Sequence, residues 1–284
     1  MANNGINNSA TARDILITGC SSGIGLCVAI GLKQRGYRVF TSARKITDVE
    51  RLQSMGFESL QLDLDDSESI KTAVTTVLQA TNNRLYALFN NGAYGQAGAV
   101  EDLSRQTLRA QFETNLFGWH ELTNLILPVM RQQGHGRIIQ NSSVLGLVAL
   151  KFRGAYNASK FAIEGLTDTL RLELDGSGIY VSLIEPGPIE SCFRANSLKY
   201  FKQNIDIESS YFKTDYLKTL ARLEKKGPAA PFTLPPEAVL KKVIHALESS
   251  KPRPRYYVTF PTYLFGYLRR VLSSRWLDHL LKKV

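Results

Sequence analysis

The chain has 284 residues, of which 44% are apolar and 10% aromatic, so it can bury a sizeable core as one large domain or two small ones. Its net charge of +10 is uneven, because the segment from Lys251 to the end holds eight basic residues against Asp278 alone. The rest of the chain has no recurring basic stripe, which argues against a nucleic-acid-binding protein.

The N-terminus, the cysteines and the histidines bear on location and metal binding. Residues 1–12 are polar and lack the basic start and apolar centre of a secretory signal, so we expect a cytoplasmic protein. The cysteines Cys20, Cys27 and Cys192 are odd in number and not closely paired, which favours reduced thiols over disulfides or zinc ligands. The four histidines are scattered, and no metal site is predicted.

Short apolar runs alternate with longer helical patterns along the chain. In order, the predicted strands are "DILITG", "YRVFTSA", "SLQLDL", "LYALFNNG", "GRIIQNSS", "YVSLIEPG" and "RYYVTF". Helical patterns begin at Ile24, near Ser67 and at about Ser104, and another surrounds Tyr156. This alternation predicts an α/β fold: a Rossmann-type doubly wound parallel sheet with helices on both faces, in a single domain over residues 13–250.

The stretch 190–236 interrupts this alternation. It is rich in Phe, Tyr, Ser and Lys and ends in "KKGPAAPFTLPPEA". We interpret it as an irregular or short-helical excursion over the edge of the sheet, which would serve as a lid over the substrate.

Residues 251–284 comprise the last predicted strand and a basic amphipathic extension. The segment "YLFGYLRRVLSSRWLDHLLKKV" places apolar residues at three- and four-residue spacing, with arginines and lysines between them. Three placements fit this stripe: packing over the substrate entrance, a contact in an oligomer, and peripheral contact with an anionic membrane. We rank packing or an oligomer contact first.

The first predicted strand leads into a glycine-rich turn, "TGCSSGIG", directly before a helix. In a sheet of this type, ligands bind beyond the carboxyl ends of the strands. Gly19 permits the tight turn, Gly23 lets the backbone approach a pyrophosphate, and Gly25 allows close packing of helix and strand. The free amides of the helix start attract the anion, so this turn predicts nucleotide binding.

Tyr156 and Lys160 in "AYNASKFAIEG" lie four residues apart, so both project from one helix face. The glycine motif precedes them, and Asp63 after "LQL" and the segments "NNGAYG", "TNLFG", "NSSVLG" and "PGPIES" occur in order. With these motifs the chain resembles the short-chain dehydrogenases/reductases over about residues 13–250. Within the family it is most similar to aldehyde reductases and to retinol and hydroxysteroid dehydrogenases.

The resemblance implies roles for four catalytic residues. Tyr156 would donate a proton to the substrate carbonyl as hydride reaches its carbon, and Lys160 would hold the nicotinamide ribose and lower the pKa of the tyrosine by its charge. Ser143 would hydrogen-bond the carbonyl oxygen, whereas its neighbour Ser142 points to the opposite face of the strand. Asn115 would hold a water that connects Lys160 to solvent. Each residue alone has an ordinary structural explanation, but their joint occurrence in this order favours catalysis.

The end of the second strand bears on the choice of cofactor. In "TSARK", Ala43 stands where an NAD enzyme normally has an acid for the ribose hydroxyls, and Arg44 follows. A guanidinium can bind a 2′-phosphate with paired hydrogen bonds, and Ser42 would add a contact, so we predict NADP; the alternative is that Arg44 is an ordinary solvated arginine. By resemblance, Asp63 would accept from the adenine amino group and Ile189 would meet the carboxamide.

Together these arguments define a set of expected cofactor-binding residues. They are Gly19, Ser21, Ser22, Gly23, Ile24, Gly25, Arg44, Asp63, Leu64, Asn90, Asn91, Gly92, Tyr156, Lys160, Pro186, Gly187, Ile189 and Ser191.

The expected function is that of an oxidoreductase. We expect hydride transfer between NADP(H) and a hydrophobic aldehyde or ketone, or the corresponding alcohol, in the manner of a carbonyl reductase. The apolar "LGLVALKFRG" and the aromatic residues of the lid either line the substrate or pack on one another. The alternative is a catalytically silent NADP(H)-sensing regulator that binds a partner protein, although such relatives lose the tyrosine or the lysine. The resemblance also implies a homodimer or homotetramer that pairs through the helices near 104–132 and 155–174.

Overall fold

A seven-stranded parallel sheet forms the centre of the molecule, which the computed structural model describes over residues 13–225, 227 and 230–283. The strand order is β3-β2-β1-β4-β5-β6-β7, so the direction of winding reverses between β1 and β4. The predicted Rossmann-type α/β fold is confirmed. The strands are β1 (Asp14–Ile17), β2 (Arg38–Ala43), β3 (Glu58–Gln61), β4 (Ala87–Asn90), β5 (Gly136–Asn141), β6 (Ile179–Glu185) and β7 (Arg255–Tyr257).

Helices cover both faces of this sheet, and two more helices extend beyond β7. Their bounds are α1 (Gly23–Gln34), α2 (Ile46–Ser54), α3 (Ser67–Ala80), α4 (Arg105–Phe112), α5 (Gly118–Gln133), α6 (Gly154–Glu173), α7 (Phe193–Asn204), α8 (Lys213–Glu224), α9 (Glu237–Glu248), α10 (Phe260–Val271) and α11 (Ser274–Leu281). None of these described helices is both long enough and apolar enough to cross a membrane.

The core is divided into two layers because neighbouring residues of a strand point to opposite faces. In β1, Ile15 and Ile17 pack with residues of α1 and α9, whereas Leu16 packs with residues of α3, α5 and α6. All four residues of β1 are buried, as expected for a strand covered on both faces. This arrangement fixes the end of β1, and therefore the glycine turn that follows it, between two packed layers.

The predicted lid contains two helices, α7 and α8, which corresponds to the short-helical alternative. These helices have a small apolar core of their own, in which Phe201, Tyr216 and Leu223 pack against Ala97 and Ala99. The lid is therefore held mainly by the loop after β4 and not by the two large layers of the sheet.

The C-terminal extension forms α10 and α11. Helix α10 buries Thr262 and Gly266 against the domain. Its opposite face is exposed and apolar at positions that follow the helical repeat, and these residues are Phe260, Tyr263, Leu264, Tyr267 and Val271. Packing on the domain therefore accounts for only one face of this helix.

Candidate active site

A cavity of about 790 Å³ opens at the carboxyl ends of the central strands. The glycine turn after β1 lies on one side of it, and the start of α6 with the loop after β5 lies on another. The lid helices supply residues that include Phe193 and Leu223. The cavity is thus where ligands bind in doubly wound sheets, next to the reversal of strand order between β1 and β4.

The glycine turn is shaped by two close approaches of main chain. A Cβ atom on Gly19, whose φ is +70°, would lie 2.5 Å from the Cα of Gly92. A Cβ on Gly25 would lie 2.3 Å from the carbonyl oxygen of Gly19, so the first turn of α1 packs directly on the loop. Since Ser22 precedes α1 without a side-chain cap, the first amides of the helix remain available. This cradle fits the pyrophosphate of a dinucleotide.

The loop after β6 faces the glycine turn across the cavity. A Cβ on Gly23 would lie 2.9 Å from the Cβ of Ser191, so these two segments are nearly in contact. Ile189 forms a bridge with Leu234, which ties the loop to the chain after the lid. The cofactor-binding residues expected from both segments that line the cavity are Gly19, Ser21, Ser22, Gly23, Ile24, Pro186, Gly187, Ile189 and Ser191.

Tyr156 and Ser143 meet at the substrate side of the cavity. Both line it, and the Tyr156 side chain is otherwise almost fully buried. Burial raises the pKa of Tyr156 to about 12, while the Ser143 hydroxyl and the Arg153 guanidinium oppose this shift. The ring of Phe193 lies edge-on to Tyr156 with its centroid 5.2 Å away, so the lid covers the phenol. At neutral pH the tyrosine is a protonated acid.

Lys160 is buried beneath this tyrosine. Its Nζ donates to the carbonyl oxygen of Asn141 at 2.8 Å and lies 4.2 Å from the centre of the Trp119 ring. Burial lowers the pKa of Lys160 to about 7, although the charge of Glu164 opposes the shift. The Arg153 guanidinium favours ionisation of the Tyr156 phenol, and the Lys160 Nζ lies 5.7 Å from the centre of the Tyr156 ring. The predicted effect of Lys160 on the pKa of the tyrosine stays a prediction.

A buried ionic cluster lies one helical turn beyond Lys160. The Ser142 hydroxyl donates to Glu164, and the Arg255 guanidinium bridges Glu164, Glu185 and Asp168. Ser142 therefore serves this cluster and Ser143 faces Tyr156, which agrees with the predicted opposite orientation. Burial raises the pKa of Glu185 to about 9, and the Glu164 carboxylate adds to the shift.

Asn115 lies in a π-helical turn, Glu113–Phe117, between α4 and α5. Its side-chain amide accepts from the backbone N–H of Tyr94 and donates to the carbonyl of that residue and to Ser159. The side chain therefore fixes the loop after β4, and it does not line the cavity. The predicted water-holding role of Asn115 stays a prediction.

Of the other residues expected to contact the cofactor, only some line the cavity. Asn91 and Gly92 line the cavity, but Asn90 is fully buried and donates to Thr123, on the opposite side of β4. The reason is the alternation of side chains along the strand. Likewise Ser42 is buried and its hydroxyl donates to the carbonyl of Ile17, so it is not free to contact a phosphate.

Arg44, Asp63 and Leu64 lie near the ends of β2 and β3, outside the cavity lining. Arg44 is exposed, and its Nη1 lies 3.5 Å from the Tyr200 hydroxyl of the lid. Leu64 is in contact range of Gly92, since a Cβ on that glycine would lie 3.3 Å from the leucine Cδ1. These residues border the same edge of the sheet as the glycine turn.

Phe193, one of the lid aromatics expected either to line the substrate or to pack together, lines the cavity. Arg153 and Arg222 also line it and were not singled out from the sequence. For Arg153 a signal was present, because it precedes Tyr156 by three residues at the start of a helix. Arg222 comes from the lid, whose fold the sequence pattern left undefined. Among the described residues, no cluster of histidine, cysteine and acidic side chains could hold a metal ion.

Comparison with known proteins places this site in a family. A family model described as short chain dehydrogenase matches residues 13–200. The uncharacterized oxidoreductase YbbO of Escherichia coli (strain K12) is 45% identical over 270 residues, which cover 95% of this chain and 94% of that protein. The 17-beta-hydroxysteroid dehydrogenase type 1 of Homo sapiens is 32% identical over 257 residues, which cover 86% and 77%.

The solved structure of a single-residue variant of actinorhodin polyketide ketoreductase with NADPH is similar to this chain. The two are 26% identical, with a TM-score of 0.70, and the match covers 87% of this chain and 95% of the ketoreductase chain. The fold of this chain therefore agrees with the sequence matches. The chain belongs to the short-chain dehydrogenase family of oxidoreductases.

Proposed function

We propose that this protein is an NADP(H)-dependent carbonyl reductase that acts on hydrophobic aldehydes or ketones and, in reverse, on the corresponding alcohols. The observation that carries this proposal is the arrangement of Ser143 and Tyr156 in one cavity with the glycine turn, with Lys160 buried below the tyrosine. Bound NADPH would supply the hydride. The chain's own residues hold the carbonyl and supply the proton.

In this mechanism Tyr156 is the general acid. Its raised pKa keeps the phenol protonated at neutral pH, so it can donate to the carbonyl oxygen as negative charge develops there. The Ser143 hydroxyl stabilises the same oxygen. Lys160, with a pKa of about 7, exchanges protons readily near neutral pH and restores the proton of the tyrosine.

The substrate region supports an apolar compound. Its lining includes Val144, Leu145, Leu150, Phe193 and Leu223. An apolar wall excludes water from the reacting carbonyl and favours a hydrophobic chain or ring.

The preference for NADP rests on Arg44. Its guanidinium is exposed at the end of β2, and Ala43 leaves no acid at the position before it. A 2′-phosphate there would gain charge-assisted hydrogen bonds. The expected result is faster consumption of NADPH than of NADH, followed at the absorbance band of the reduced nicotinamide with a panel of aldehydes and ketones.

The variant Arg44→Ala should raise the KM for NADPH and leave that for NADH nearly unchanged. Lys241→Ala, which removes an exposed cation on α9, is the matched control. An equal increase in the KM for both cofactors would contradict the assignment of Arg44 to the 2′-phosphate. If the protein binds NADPH tightly but turns over no substrate with either NADPH or NADH, the alternative of a silent NADP(H)-sensing regulator that binds a partner protein is favoured.

A homodimer or homotetramer in the cytoplasm is the assembly we propose. The helices that the family resemblance implicates in pairing expose the apolar side chains Leu108, Phe117, Phe161, Leu166 and Leu172. A reducing compartment suits the described cysteines, which form no disulfide with one another. Light scattering should give a multiple of the 31.7 kDa chain mass, and Phe117→Asp should shift it toward the monomer.

The exposed face of α10 supports contact with an anionic membrane surface. Its aromatic stripe is flanked by Arg269 and Arg270, and Arg275 and Trp276 follow on α11. Aromatic rings suit the membrane interface and basic groups suit acidic lipids, whereas two copies of this face would repel each other. Wild-type protein should cosediment with vesicles that contain phosphatidylglycerol and dissociate in high salt. Tyr267→Ser should weaken this binding, while Tyr211→Ser, at an exposed tyrosine of the lid region, should not.

A further inference from the structure

The cavity carries more positive charge than an apolar carbonyl compound needs. Arg153, Arg194 and Arg222 all line it, and Glu190 is the acidic residue among the lining residues. Of the three arginines, Arg194 has a structural use, since its Nη2 donates to the carbonyl oxygens of Lys225 and Gly227. Two guanidinium groups remain to be explained.

Arg153 and Arg222 have no partner of opposite charge within residues 13–225, 227 and 230–283. Neither forms an ion pair or a side-chain hydrogen bond with any of these residues. Arg222 is exposed, and Arg153 is only partly exposed. Arg255, in contrast, contacts the carboxyl groups of Glu164, Glu185 and Asp168. A charge that is partly withdrawn from solvent, as that of Arg153 is, costs free energy unless an opposite charge compensates it.

The electrostatics of Arg153 reflect this lack of compensation. Burial, with the nearby positive charge of Arg222 acting in the same direction, lowers the pKa of Arg153 to about 10. The group still carries its proton at neutral pH. An anion between the two guanidinium groups would remove their mutual repulsion and receive paired hydrogen bonds.

Arg153 lies beside Tyr156 and not at the phosphate cradle, and Arg222 lines the same cavity close enough for its charge to lower the pKa of Arg153. The backbone of Arg153 bridges to Gly98, and its guanidinium acts on the phenol of Tyr156. The glycine turn has different neighbours, namely Gly92 and Ser191. An anion held by Arg153 and Arg222 would therefore belong to the substrate.

We infer that the substrate is an anionic amphiphile: a hydrophobic aldehyde or ketone that also carries an oxyanion, which Arg153 and Arg222 bind while the chain lies against Leu145, Leu150 and Leu223. Carboxylate, sulfonate and phosphate share the required chemistry. This inference rests on the proposed carbonyl reductase function, whose hydrophobic substrate it makes more specific.

The first test compares oxo acids with their methyl esters. A series of aldehyde and ketone carboxylates, with about two to eight carbons between the carbonyl and the carboxylate, is assayed with NADPH, each beside its uncharged ester. At the best spacing the acid should have a kcat/KM about tenfold or more above that of the ester, as expected for a charge-assisted hydrogen bond. Sulfonate and phosphate analogues at that spacing identify the preferred oxyanion.

Substitution of Arg222 then tests the cause of the preference. Arg222→Gln should collapse the acid-to-ester ratio toward one, and Arg222→Lys should retain part of it. Lys241→Gln, which removes one exposed positive charge outside the cavity, should leave the ratio as in the wild type. A ratio near one in the wild type, or a ratio that survives Arg222→Gln, would overturn the inference and leave the proposed reductase intact.

A binding measurement separates the two proposals. Decanoate and decyl sulfonate, which have no carbonyl that can be reduced, are titrated calorimetrically into the protein with NADP⁺ present. Binding that Arg222→Gln weakens about tenfold supports the anion site even if no carbonyl compound is turned over, in which case only the reductase proposal fails. If Arg222→Gln instead weakens NADPH binding and leaves decanoate binding unchanged, the arginines serve the cofactor and the inference is wrong.

Discussion

The buried carboxyl of Glu185 provides a stringent test of the electrostatics around the active helix. Its side chain has no exposed surface, and one of its oxygens, Oε2, has no hydrogen-bond partner among the described residues. Burial and the neighbouring Glu164 raise the pKa of Glu185 to about 9. The raised pKa keeps this carboxyl protonated at neutral pH, while its Oε1 accepts from the Arg255 guanidinium at 2.6 Å.

The consequence for stability follows from the direction of this shift. A carboxyl whose pKa is raised on folding contributes stability that is present below its unfolded pKa, near 4.3, and that is lost as the pH rises toward the folded value. With a folded pKa of about 9, the wild-type protein should lose about 2 kcal/mol of unfolding free energy between pH 7 and pH 9 through this group alone.

Glu185→Gln removes the titration but keeps the volume. We expect the variant to be more stable than wild type by about 3–4 kcal/mol at pH 7, because wild type must take up a proton on folding at that pH, and to lack the further loss of about 2 kcal/mol between pH 7 and pH 9. Urea unfolding followed by fluorescence at both pH values measures this, with the exposed Glu173→Gln on α6 as control. A loss of about 3–5 kcal/mol at pH 7 would instead show an ionised Glu185 paired with Arg255 and would refute the reasoning.

Three further substitutions test the cavity. Tyr156→Phe should lower kcat by about 10²- to 10⁴-fold, because the general acid is lost, while fluorescence titration shows NADPH affinity retained; an unchanged kcat would contradict the assignment. Gly19→Ala should weaken NADPH binding at least tenfold, by about 1.4 kcal/mol or more, because its Cβ would press on the backbone of Gly92. Gly36→Ala is the control: this glycine has the same left-handed backbone, but its Cβ would meet no described atom within 4 Å, so only stability should fall. Phe193→Ala should raise the KM for apolar aldehydes by uncovering the phenol, and an unchanged KM would show that the lid contact has no role in binding.

The sequence predicted the sheet and the glycine turn because their causes are local. Short apolar runs such as that of β1 predict buried strands, and the turn after β1 requires glycine at a fixed spacing. The opposite orientations of Ser142 and Ser143 were also expected from strand alternation, and they persist although β5 ends at Asn141, just before the two serines.

Other features of the site depend on partners that are distant in the sequence. Arg255 meets Glu164 from a strand 91 residues away, so the cluster beside Lys160 left no local pattern. The desolvation that lowers the pKa of this lysine arises from tertiary packing around Trp119 and Asn141. The same limitation applies to Asn90. Its motif predicted a contact with the ligand, but its side-chain amide donates to Thr123 instead.

The separate apolar core of the lid has a consequence for adaptation. Since Phe201, Tyr216 and Leu223 pack on one another and on Ala97 and Ala99, residues 193–224 have an apolar core that is separate from the two layers of the sheet. Replacing the residues of this segment that line the cavity, such as Phe193, would reshape the substrate side without disturbing the glycine turn. The architecture thus lets substrate choice diverge while the redox chemistry is retained.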